Sequence, residues 1–145
     1  MNTGPAIAVA VTFVWLGMVL AISFIEAPLK FRAPNVTLQI GLGIGRLVFR
    51  ALNAIEVAFA VVILVVIVTA STTGHLPVSV IVALLIAVAA LAAQLVGVRP
   101  RLTRRSDKVL AGHDAPRSNA HHAYVGLEVI KVIALAAAGI LLLSS

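Results

Sequence analysis

The chain has 145 residues, 61% of them hydrophobic and 11% charged, with a formal net charge of +6 and no cysteine. This composition excludes an ordinary soluble domain and describes an integral membrane protein. Without cysteine there is no disulfide, thiolate metal site or cysteine nucleophile. The basic residues cluster beside apolar segments, so lipid headgroups and the orienting bias of loop charge explain them more economically than nucleic acid does.

Four apolar stretches follow one another. The first, predicted as a helix over about residues 5–25, has no basic residue ahead of it and so reads as a retained span rather than a signal peptide. Residues 26–39 bring Glu26, Pro28, Lys30, Arg32 and Pro34, whose prolines break helices and whose charges suit headgroups, and are predicted as a loop. A second helix is predicted over about 40–70, its entrance polar with Arg46, Arg50, Asn53 and Glu56. A third is predicted over 78–98 beyond the turn at 71–77, relieved by Gln94. Residues 99–120 are predicted as the longest loop, with Arg99, Arg101, Arg104, Arg105, Lys108 and Arg117 against Asp107 and Asp114. The last helix is predicted over 121–143.

Lysine and arginine are absent from the turn at 71–77 and from both chain ends. Basic charge is thus confined to alternate connections, and the positive-inside rule places loops 26–39 and 99–120 in the cytoplasm and both termini outside. The expected fold is an all-α, single-domain bundle of four transmembrane helices, in a bacterial inner membrane.

Three ionisable residues lie inside the apolar stretches rather than at their edges: Glu56, Glu128 and Lys131. A charge near the bilayer centre costs about 2.5–3.5 kcal/mol even on the gentler insertion scale, so each needs a partner or a function. At a helical rise of ~1.5 Å per residue, all three should lie roughly 9–14 Å inside the cytoplasmic boundary. His121, Tyr124, Glu128 and Lys131 share one face of the fourth helix. Arg46, Arg50 and Asn53 form a comparable stripe on the second, with Glu56 one turn further.

Two readings follow. In the structural one, Glu56 or Glu128 pairs with Lys131, Glu26 pairs with Arg46 or Arg50, and Asn53 and Gln94 bond between helices. In the functional one, a cavity open to the cytoplasm is lined by Arg46, Arg50, Asn53 and Glu56 from the second helix, Gln94 from the third, and Tyr124, Glu128 and Lys131 from the fourth. Arginine forks suit a carboxylate or phosphate and a carboxylate suits an ammonium group, so the expected ligand is small and anionic or zwitterionic. The same charged groups could instead serve a small ion- or proton-coupled transporter or channel, and an accessory subunit without catalysis is the third class.

The stretch Arg46-Leu47-Val48-Phe49-Arg50-Ala51-Leu52-Asn53-Ala54-Ile55-Glu56 resembles the MAPEG superfamily, four-helix membrane proteins of glutathione and eicosanoid metabolism. The resemblance covers about residues 31–60, and Arg46, Asn53 and Glu56 keep its register. It implies a trimer with glutathione held between subunits. Asn53 and Glu56 would contact it, Arg46 or Arg50 would sit at its carboxylates, and Arg99 or Arg101 would stabilise the thiolate of a glutathione transferase acting on a lipophilic substrate. The tyrosines that accompany the family's third-helix arginine are missing beside Arg99 and Arg101. A second likeness, through Trp15-Leu16-Gly17 and Ala27-Pro28-Leu29-Lys30-Phe31, is to bacterial four-helix proteins akin to the copper-resistance D family, and implies transport.

Other patterns carry less. His121 and His122 point about 100° apart on a helix and no Glu-x-x-His pair accompanies them, so no metal is expected. Gly41-Leu42-Gly43-Ile44-Gly45 could offer backbone N–H groups to an anion or allow close packing. Asp107, His113 and Asp114 fall in a loop read as solvated. Trp15, mid-span, is expected to pack between helices or line a pocket. Thin, small-residue-rich helices leave little room for a private cavity, which predicts a homo-oligomer.

Overall fold

The computed structural model describes residues 2–74, 76–113 and 119–145. These form four helices long and apolar enough to cross a membrane: α1 (Thr3–Arg32), α2 (Leu38–Thr73), α3 (Val78–Leu110) and α4 (Asn119–Ser144). No strand occurs among the described residues. His75 of the predicted turn and Asp114 and Arg117 of the predicted loop lie outside them.

The helices run further than the apolar stretches alone suggest. α1 passes through Pro28 to Arg32, and α3 passes through Pro100 to Leu110. A proline ring inside a helix clashes with the carbonyl four residues back and removes one donor. In both helices the turn before the proline widens into a π segment, Leu20–Glu26 ahead of Pro28 and Gln94–Val98 ahead of Pro100. The widened turn absorbs the misfit and the helix continues. Residues 26–32 and 99–110, expected as loop, are therefore helical. For the latter the signal was present: Leu102, Ser106 and Val109 recur at helical spacing and face inward.

α2 starts at Thr37, whose Oγ1 accepts the Ile40 N–H at 3.2 Å, and stops at Gly74, which takes the left-handed conformation (φ 69°) that glycine tolerates best. The α1–α2 link is short and turns at Asn35, also at positive φ (67°). These tight ends fix an antiparallel arrangement in which α4 packs on α3 and α1, and α2 packs on α1.

The apolar core fills the half of the bundle near the α2–α3 turn, with Ile63, Leu84, Leu135 and Leu142 fully enclosed among alanines. Small residues set the helix approach there. A Cβ on Gly139 would fall 2.7 Å from Phe13 Cζ, so glycine is what lets the Phe13 ring lie against α4. The outer surface is apolar as well, with Leu47, Val68, Ile133 and Ile140 exposed.

Candidate functional site

Halfway along the bundle the core becomes polar. Lys131 on α4 is fully buried, and its Nζ donates to Glu56 Oε1 of α2 at 2.7 Å, to Glu128 Oε1 of α4 at 2.6 Å and to Gln94 Oε1 of α3 at 2.7 Å. Trp15 Nε1 of α1 donates to Glu56 Oε1 at 3.0 Å. Gln94 Nε2 donates to Glu128 Oε1 at 3.0 Å and to the Tyr124 carbonyl at 3.3 Å. Ser23, in the π segment of α1, donates its hydroxyl to Glu128 Oε2. One ion cluster thus ties all four helices together. Removing one partner of such a buried pair typically costs about 3–5 kcal/mol, because the other charge is stranded.

Beside this cluster, toward the end that carries the lysines and arginines, lies a cavity of 460 Å³ walled by all four helices. Ser23 and Glu128 belong both to its wall and to the ion cluster. Its apolar surface includes Phe24, Phe31, Leu42 and Phe49, and its charged surface includes Lys30, Arg46, Arg99 and Arg105. Phe49 is flanked by two cations, Lys30 Nζ at 5.6 Å and the Arg99 guanidinium at 5.5 Å from the ring centre. Tyr124 meets Phe49 edge to face at 5.9 Å, and Arg99 also lies 6.0 Å from the Tyr124 ring.

The cations of this wall are not equivalent. Lys30 is 3.6 Å from Glu26 and Arg46 is 2.7 Å from Asp107. Arg99 leans on aromatic rings, and no carboxylate or hydrogen-bond acceptor pairs with it among the described residues. Next to it the Tyr124 hydroxyl is buried without a hydrogen-bond partner. A guanidinium and a hydroxyl, both uncommitted in an enclosed and largely apolar space, form a donor pair for an anionic group.

The residues singled out in the sequence therefore divide. Arg46, Arg99, Tyr124 and Glu128 line the cavity. Glu56, Gln94 and Lys131 lie behind it in the ion cluster. Asn53 is buried with Oδ1 unpartnered, while Arg50 and Arg101 are exposed and stand outside the lining. Glu26 pairs within its own helix with Lys30, not with Arg46 or Arg50, because the helix through Pro28 places the two four residues apart on one face. Asp107, expected in a solvated loop, sits on α3 and holds Arg46.

Gly41 and Gly45 are inside α2, where their N–H groups belong to the helix, so close packing is their role. A Cβ on Gly41 would fall 2.1 Å from Phe31 Cε1, and one on Gly45 would fall 3.0 Å from Lys30 Nζ. Among the described residues no three of His, Asp and Glu converge as a metal site. Sequence reading missed Ser23, Phe49 and Arg105 as cavity residues. Ser23 had a signal, a serine in an apolar span five residues before a proline.

Tyr124 of the fourth helix stands beside Arg99 of the third. Residues from all four helices of one chain line the cavity. No family model, curated protein or solved structure matches the chain.

Proposed function

We propose that this chain is a multi-pass membrane protein that binds a small organic anion with an apolar portion in a cavity facing the cytoplasm. The apolar outer surface suits lipid, and the clustering of lysine and arginine, Lys131 apart, at one end of the bundle supports an orientation with that end inside and both termini outside. The observation that carries the reading is Arg99, a cation held over Phe49 and Tyr124 with its hydrogen-bonding capacity unspent. The aromatic wall accommodates the ligand's apolar part, and Arg99 with the Tyr124 hydroxyl takes its carboxylate, phosphate or thiolate.

Glutathione is the first candidate, through the likeness of the second helix to the MAPEG superfamily, and transfer of its sulfur to a lipophilic electrophile is the activity that likeness implies. In this chain the thiolate would lie by Arg99 and Tyr124, and Asn53 and Glu56, which stand outside the cavity lining, would not contact the ligand. A trimer in a bacterial inner membrane completes that proposal. The buried charges favour a second reading, an ion-coupled carrier for the same anion.

Melting of the detergent-purified protein tests anion binding directly. Glutathione or an alkyl phosphate should raise the melting temperature, an uncharged ester should not, and Arg99→Gln should reduce the shift without lowering the melting temperature of the free protein. Equal shifts from charged and uncharged ligands would contradict the reading.

A further inference from the structure

Counting charge in the buried cluster leaves a remainder. Two carboxylates, Glu56 and Glu128, face a single ammonium, Lys131, at exposures of 0%, 2% and 0%. The three N–H donors of Lys131 are all spent, on Glu56 Oε1, Glu128 Oε1 and Gln94 Oε1. Glu56 Oε2 is buried and has no hydrogen-bond partner among the described residues. One helical turn before it on α2, Asn53 Oδ1 is also buried, also an acceptor, and also without a partner. Both residues are more than nine-tenths buried. Two acceptors on adjacent turns, beside an excess negative charge in a buried cluster, call for a positive species.

We propose that this cluster binds one monovalent cation, H+ or Na+, at Glu56 Oε2 and Asn53 Oδ1, admitted from the cavity past Ser23 and Glu128. A proton on Glu56 Oε2 would donate to Asn53 Oδ1 and pair both oxygens with one bond. A sodium ion would take both as ligands. Either brings the cluster to neutrality. The charged and polar groups around it are Trp15 from α1, Gln94 from α3, and Lys131 and Glu128 from α4, with Arg99 and Tyr124 beyond Glu128 on the cavity side. The wider core is apolar toward the α2–α3 turn, so the cavity is the entrance.

The route rests on the cavity proposed above as the water-facing site, and it deepens that reading. A cation in the cluster lowers the negative potential at Glu128, so anion and cation bind with positive cooperativity.

The test uses the full-length protein without any organic anion and with chloride held constant, which separates it from the anion reading. Melting is followed as NaCl replaces choline chloride at constant ionic strength and pH, and infrared spectra are recorded for a protonated-carboxyl C=O band at neutral pH. A melting temperature that rises with sodium identifies Na+, whereas a carboxylic-acid band that disappears in Glu56→Gln identifies H+. Glu56→Gln makes the cluster neutral and should abolish both responses while the protein still folds. Should it not fold, Glu128→Gln neutralises the same charge and serves as the second variant. Two ionised carboxylates with no sodium dependence would overturn the proposal. If cation binding is found but no anion ever binds, the cavity reading fails and the cation site stands.

Discussion

The two halves of the bundle are made of the same four helices but are held together by different forces. Near the α2–α3 turn the helices meet through alanine, glycine and close-fitting aliphatic side chains, with no charged side chain buried among the described residues there. At the basic end the same helices are spread by two prolines, their π turns and a set of charges, and a 460 Å³ cavity opens between them. In lipid there is little hydrophobic gain in bringing helices together, so close van der Waals contact must do that work in the first half. In the second half the ion cluster does it, and leaves room for a ligand. One half is a fastening and the other a receptacle, and the Glu56–Lys131–Glu128 cluster is the boundary.

Substitution at the boundary should have the largest effect. Lys131→Met strands two carboxylates in the core and should destabilise the protein by about 3–5 kcal/mol. Adding Glu56→Gln and Glu128→Gln to Lys131→Met should recover part of that loss in denaturant unfolding, whereas no recovery would mean that Lys131 acts by packing alone. In the closed half, Gly139→Ala should cost about 1–3 kcal/mol by overpacking against Phe13, with anion binding unchanged. In the open half, Gly41→Ala should do the reverse. It displaces Phe31 from the cavity wall, so ligand affinity should change more than the melting temperature.

Smaller effects separate the donors of the cavity from its surroundings. Arg99→Gln should weaken anion binding roughly tenfold or more, since a hydrogen bond to a charged group contributes about 1.5–3 kcal/mol. Tyr124→Phe should weaken it about two- to tenfold without loss of stability, because the hydroxyl it removes is unpaired in the free protein. Arg50→Ala and Arg101→Ala, both exposed, should change stability by less than about 0.5 kcal/mol and leave binding as it was. A large binding defect in either would move the ligand out of the cavity described here.

Much of the polar core was legible because helical rise and periodicity are local rules. They put Glu56, Glu128 and Lys131 at one depth and Tyr124, Glu128 and Lys131 on one face of α4. Contacts that depend on how helices rotate against each other were not legible. Nothing local says that Trp15 reaches Glu56 across 41 residues, or that Tyr124 stands beside Arg99. The prolines misled for a physical reason. Pro28 and Pro100 do break regular α-helix, but a π turn bypasses each break, and single-sequence patterns do not distinguish a bypassed break from a terminus. That is why Asp107 was expected in a loop and is found holding Arg46.

The proposed function requires that the bundle admit water at its basic end as far as Ser23, that this end face the cytoplasm, and that the bundle be sealed beyond the ion cluster. The chain has no native cysteine, so Ser23→Cys and Thr12→Cys can each be probed with a membrane-impermeant thiol reagent added to one face at a time. Ser23→Cys should react from the cytoplasmic face only and be protected by a bound anion, and the fully buried Thr12→Cys should react from neither. Reaction of Ser23→Cys from the outer face, or of both positions at equal rates, would contradict it.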